Sequence, residues 1–181
     1  MNQSARLINI SWQVAISCIL MWLSGQNPFE LPGMSVPITL QSMFAILLPL
    51  ILNARSASGG VLLFLILGAT GLPVFAGASG GIFYFYSNSG GYLIGFYAIA
   101  LLTARFKNWT SEQPFLRGLL VFALMHLVLT IIGLAWIAIA GTSEITFSSH
   151  VGPYLPGVVV KSAIGALIFE VVNRIKAIKT T

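Results

Sequence analysis

Six apolar runs divide this chain, at about 7–25, 38–54, 57–70, 90–106, 115–140 and 155–177, and polar, glycine-rich or charged residues separate them. A helix that spans a bilayer needs about 20 residues, within a range of roughly 17–25. The third run is short, so it must tilt or continue into the segment that follows. Only NARSASGG (53–60) stands between the second and third runs, and this polar, glycine-bearing stretch predicts a turn. The pattern predicts an all-α integral membrane protein, one domain over residues 1–181, with six transmembrane helices.

The charges follow the same division. Arg6 precedes the first run, Arg55 lies between the second and third, and Arg105, Lys107, Glu112 and Arg117 lie between the fourth and fifth. Arg174, Lys176 and Lys179 follow the sixth, with Glu170 one turn before Arg174 and placed to pair with it. The remaining connections carry Glu30, no charge, and Glu144. Basic connections therefore alternate with acidic or neutral ones, and the positive-inside rule predicts both termini in the cytoplasm. Trp12 and Trp22 sit near the two ends of the first run, as interfacial, lipid-facing or core aromatics.

Composition narrows the class. Of 181 residues, 57% are hydrophobic and 7% are charged, against about 25% charged in soluble domains, so lipid must solvate much of the surface. The net charge of +5 is spread along the chain and does not point to nucleic acid. The single cysteine, Cys18, allows no internal disulfide. No small-x-small cleavage pattern closes the run after Arg6, which predicts a retained first helix. There is no Gly-Lys-Ser/Thr phosphate loop, no Asp, and no cluster of metal ligands; the two histidines, His126 and His150, are far apart. An enzyme, a metal site and a cofactor are not expected.

Lys161 breaks the charge pattern. It is the one cation of nine set within an apolar run away from that run's cytoplasmic end, and a charge near the bilayer centre costs about 2.5–3.5 kcal/mol on insertion scales. Gly157 and Gly165 flank it at four-residue spacing, which turns that face toward other helices, although a lysine can also snorkel to the surface. An anionic partner is the commonest reason to keep such a group. The segment 71–96, GLPVFAGASGGIFYFYSNSGGYLIGF, interleaves glycines with aromatics. It reads as the wall of a site for a small ligand with a polar head and apolar body, or as close helix packing. The connection over 25–37, with three prolines and two glycines, is a lid or a stiff connector. Thr39 and Gln41 face a site or cap the second helix, Trp136 lines a site or sits in the interfacial belt, and His126 reads as a hydrogen-bonded core residue.

VPITLQ (36–41), GLPVFAG (71–77) with Gly80 and Gly81, GGYLIGF (90–96), GLAW (133–136) and PYLPGVVVK (153–161), in this order and spacing, resemble the BioY family of biotin-binding S components of energy-coupling factor (ECF) transporters. The resemblance implies a six-helix S component in the bacterial plasma membrane, with a site near the outer surface under the first loop. It implies biotin as substrate, and an ECF T component and two ATPase subunits as partners that supply the work. Lys161 matches the lysine of the family's Pro-Gly-Asp-x-x-Lys signature and would pair with the biotin carboxylate. Gln41, Asn88, Ser89 and Tyr92 are the candidates for the ureido ring, and Phe75, Tyr154 and Trp136 for the apolar remainder. Small residues on the first helix, here Ser11 and Ala15, would dock the T component. Two departures stand out: Val158 occupies the place of the signature Asp, and SNS (87–89) replaces Gly-Pro-Thr. They leave open another carboxylated vitamin as substrate; a membrane scaffold without a small ligand is the alternative from a different class.

Overall fold

The computed structural model describes residues 3–29, 36–140 and 150–178. Glu30, Glu144 and Lys179, three members of the charge pattern, lie outside the described residues, as do residues 30–35 of the 25–37 connection. Helices run over Gln3–Leu23 (α1), Gln41–Ile51 (α2), Ala54–Ala69 (α3), Gly90–Ala104 (α4), Lys107–Glu112 (α5), Pro114–Ala140 (α6) and Leu155–Ile178 (α7). Short 3-10 turns occupy Ala76–Ala78, Ile82–Tyr86 and Gly152–Tyr154. The chain is an all-α, multi-pass membrane protein. Residues Gln3–Leu23, Pro114–Ala140 and Gly152–Ile178 are each long and apolar enough to cross a bilayer, and α2, α3 and α4 are shorter apolar helices.

The bundle is organised around α2. Residues 45–50 of this helix are all buried, which is how a helix apolar on every side is accommodated. It packs against α1, α3, α4, α6 and α7, while α1 lies on α3, and α6 is sandwiched between α4 and α7. The outer faces of α1, α6 and α7 are apolar: Leu120, Leu124, Leu127 and Ile131 form an exposed stripe on α6, and Trp12 and Trp22 are exposed on α1. Such faces suit contact with lipid or with a partner protein. Ser11 and Ala15 are also exposed on α1.

The second helix begins at Gln41, later than the apolar pattern predicts. Val36 precedes Pro37 and is driven toward extended backbone, and Ile38 exchanges two 2.9 Å backbone hydrogen bonds with Phe29. The turn read over 53–60 is also shorter. Helix α3 starts at Ala54, with the Asn53 side chain accepting from the amides of Arg55 and Ser56. Gly60 lies within the helix, where a Cβ would fall 2.4 Å from the Ser17 Cβ and 2.5 Å from the Val14 carbonyl oxygen. That glycine serves the α1–α3 contact rather than a turn. Glu170 and Arg174 pair on α7 at 2.5 Å.

Beyond α3 the chain is irregular. Gly81, at φ +99°, takes a conformation that side-chain-bearing residues rarely adopt, and its amide donates to the Gly68 carbonyl at 2.7 Å. This folds the 71–89 segment back over the end of α3.

Candidate substrate site

A cavity opens at the end of the bundle where α2 begins. Val36, Pro37, Ile38, Thr39, Gln41 and Ser42 form one side, and Ala76, Tyr84, Ser89, Tyr92, Leu93 and Phe96 form a second. His126, Leu129 and Thr130 of α6, with Tyr154, Val158 and Lys161, complete it. Its volume is about 70 Å³, well below the roughly 300–1,000 Å³ of pockets that enclose drug-sized ligands.

Lys161 points inward. Its ammonium donates to the Ser42 hydroxyl at 2.8 Å and to the Thr39 carbonyl at 3.3 Å. Among the described residues no carboxylate pairs with it; the ion pairs are Arg117 with Glu112 and Arg174 with Glu170. Two neutral acceptors therefore hold a cation at the wall of a largely apolar cavity, an arrangement that favours an anionic ligand group. Gly165, one turn further on, is covered by the Phe122 ring, and Gly157 faces Ile38. Gly165 thus lets α7 close on the Phe122 ring of α6, whereas a Cβ on Gly157 would make only ordinary contact with Ile38.

The segment that opens α2 is tied to the approach to α7. The Tyr154 hydroxyl donates to the Val36 carbonyl at 2.6 Å and accepts from the Val36 amide at 2.8 Å. Gly77 donates to the Gly25 carbonyl at 3.1 Å, joining the end of α1 to the 71–89 segment. Thr39 and Gln41 both line the cavity, and neither caps α2, whose N-cap Leu40 has no side-chain hydrogen bond. The Gln41 amide is 1% exposed, donating to the Met21 carbonyl at 3.1 Å and accepting from Thr39 at 3.2 Å.

Of the eight residues singled out in the sequence, Lys161, Gln41, Ser89, Tyr92 and Tyr154 converge on the cavity, and Asn88, Phe75 and Trp136 are outside its walls. Phe75 is buried against Phe64, Tyr84 and Phe85, its ring filling the space that a Cβ on Gly68 would need. Trp136 packs over Gly90 and Gly91 and donates through Nε1 to the Ser87 carbonyl at 3.2 Å. Tyr92 in turn lies over Gly133. Reciprocal aromatic-on-glycine contacts thus lock α4 to α6, and they account for much of the glycine–aromatic interleaving as packing.

Ser42 and His126, both in the cavity wall, lay outside the sequence-based set of eight. Ser42 is the ammonium's nearest partner, and His126 is both the hydrogen-bonded core residue expected and a member of the cavity wall. Polar groups inside apolar helices find one another in lipid, so Ser42, His126 and Lys161, each set in an apolar run, share a signal that would have grouped them.

A family model described as the BioY family matches residues 1–177. The chain is 36% identical over 135 residues to a protein of Pyrococcus horikoshii named as a probable biotin transporter BioY, covering 75% of this chain and 79% of that one. It is 30% identical over 138 residues to the biotin transporter BioY2 of Lactococcus lactis, covering 75% and 72%. A probable biotin transporter BioY of Bacillus subtilis is 29% identical over 167 residues, covering 90% and 89%. A 2.1 Å crystal structure of the S-component for biotin from an ECF-type ABC transporter matches with a TM-score of 0.80 at 23% identity, over 98% of this chain and 95% of that chain, a likeness of fold.

Proposed function

This chain belongs to the BioY family, and on that footing we propose that it is the membrane-embedded component that captures biotin from outside for uptake. It is a transport protein rather than an enzyme, as its named relatives are. The observation that carries the reading is Lys161, an ammonium aimed into a cavity and held, among the described residues, by a hydroxyl and a carbonyl. The biotin carboxylate supplies the missing anion. Tyr92, Phe96, Leu93, Leu129 and Tyr154 offer apolar and aromatic surface to the thiophane ring and valeryl chain. Ser89 and the Tyr92 hydroxyl are the candidates for the ureido group, and Gln41 joins them only by giving up its present bonds. Asn88 adjoins this wall through Ser89.

Charge supports the orientation. Arg6 and Arg55 line one cleft beside Asn53, while Lys107 and Lys176 donate to the carbonyls of Leu52 and Ile51. These cations gather where α2 ends, opposite the cavity. The positive-inside rule makes that end cytoplasmic. Both termini then lie in the cytoplasm of a bacterial cell, and the cavity faces outward. An ECF T component and two ATPase subunits provide the energy in this reading, which the ECF-type structural neighbour supports. Exposed Ser11 and Ala15 on α1 are the candidate docking surface for the T component.

Val158 lines the cavity one turn before Lys161, and its apolar side chain favours a second reading, another carboxylated vitamin. The cavity beside Lys161 counts against a scaffold without a ligand. A panel of carboxylated vitamins tested for binding to the purified protein separates these readings. Tightest binding of biotin is expected; preference for another vitamin replaces biotin as the substrate, and no binding across the panel overturns the proposal.

A further inference from the structure

We infer that His126 is a positioning residue: acting through the Ser42 hydroxyl, it holds the Lys161 ammonium ready for the ligand's carboxylate. The inference rests on the reading of Lys161 as the carboxylate's partner. His126 lies mid-way along α6 and is 2% exposed. Its Nδ1 is 2.8 Å from the Phe122 carbonyl oxygen, with the Ser162 hydroxyl 3.2 Å away, and its Nε2 is 3.2 Å from the Ser42 hydroxyl. A backbone carbonyl can only accept, so Nδ1 carries the hydrogen of the uncharged ring. Nε2 is then a bare acceptor, and the Ser42 hydroxyl must donate to it. An ammonium can only donate, so Lys161 meets the lone pairs of the Ser42 oxygen, at 2.8 Å. The bonds run one way, from Lys161 to Ser42 to His126 to the Phe122 carbonyl.

The direction has a consequence for ligand binding. With its hydrogen committed to His126, Ser42 presents the negative end of its dipole to the ammonium. A carboxylate in that position would neutralise Lys161; a hydroxyl holds the side chain in place and leaves its charge for the ligand. Without an acceptor at the Nε2 position, the Ser42 hydroxyl is released to turn back onto its own helix, as serines in apolar helices do. Lys161 then loses its better anchor. The effect falls on carboxylate recognition rather than on the fit of the rest of the ligand.

The test compares the affinities of biotin and biotin methyl ester for the wild type, His126→Leu, His126→Gln, Ser42→Ala and Lys161→Met. His126→Leu and Ser42→Ala are expected to weaken biotin by about tenfold, the scale of one hydrogen bond to a charged group, and to leave the ester nearly unchanged. His126→Gln, whose Oε1 can accept from Ser42, should retain most of the biotin affinity. In a Lys161→Met background, His126→Leu should add nothing. Equal loss for biotin and ester would make His126 a residue of the fold alone and overturn the inference. So would an effective Lys161→Met beside silent His126→Leu and Ser42→Ala. A silent Lys161→Met would instead overturn the carboxylate reading. Ser42→Ala removes a single oxygen and carries the same comparison if His126→Leu does not fold.

Discussion

The Tyr154 hydroxyl and the Val36 backbone bond each other twice, the hydroxyl donating at 2.6 Å to the carbonyl and accepting at 2.8 Å from the amide. This clasp joins the approach to α7 with the approach to α2, and both residues line the cavity. At about 70 Å³ the cavity is too small for a bicyclic vitamin, so loading requires its walls to move. Tyr154→Phe keeps the ring and removes both bonds, each worth about 0.5–1.5 kcal/mol. Biotin dissociation measured by exchange with unlabelled ligand should be several-fold faster in the variant. An unchanged rate would separate the clasp from ligand retention.

Close packing of α1 on α3 predicts a sharp difference between neighbouring glycines. A Cβ on Gly60 would meet the Val14 carbonyl at 2.5 Å, whereas one on Gly59 would find its nearest atom at 3.7 Å. Gly60→Ala should destabilise the protein by about 1–3 kcal/mol, the usual cost of overpacking, and Gly59→Ala should be near neutral. Thermal unfolding in detergent reads both, and equal melting temperatures would contradict this account of the helix contact.

The C-terminal end of α2 predicts a dependence on pH. Lys107 and Lys176 donate to the carbonyls of Leu52 and Ile51, which α2 leaves unbonded at its C-terminus. Burial, and secondarily the charge on Lys176, hold the Lys107 ammonium below the ordinary lysine value of 10.5. The folded protein therefore releases this proton at a lower pH than the unfolded chain does. Between the two values the unfolded state holds more protons, so Lys107's contribution to stability rises with pH. The melting temperature of the wild type relative to Lys107→Met should climb as pH rises from neutral toward 10.5. A flat or falling difference would contradict the assignment.

The apolar runs and the alternation of charge made the membrane-helix architecture legible, because length and solvation dictate both. Lys161 was legible for the same reason, as a cation where lipid penalises one. The 71–89 segment was not. Its path depends on Gly81 at positive φ and on Phe75 filling the space beside Gly68, and neither relation has a periodic signature. The same glycines read equally well as a ligand wall and as helix packing, and the structure uses Gly90, Gly91 and Gly133 for packing. Ser42 by itself looks like a packing residue, a lone hydroxyl near the start of an apolar helix, and stands out only when grouped with the other polar residues set in apolar runs, His126 and Lys161.

Equilibrium binding of radiolabelled biotin to the purified wild type and Lys161→Ala tests the central claim most directly. Removing the ammonium leaves the ligand's carboxylate unpaired in a partly dry site, and affinity should fall by about 2–5 kcal/mol, or roughly 30-fold to several thousand-fold. Equal affinities in the two proteins would contradict the assignment of Lys161 to the substrate.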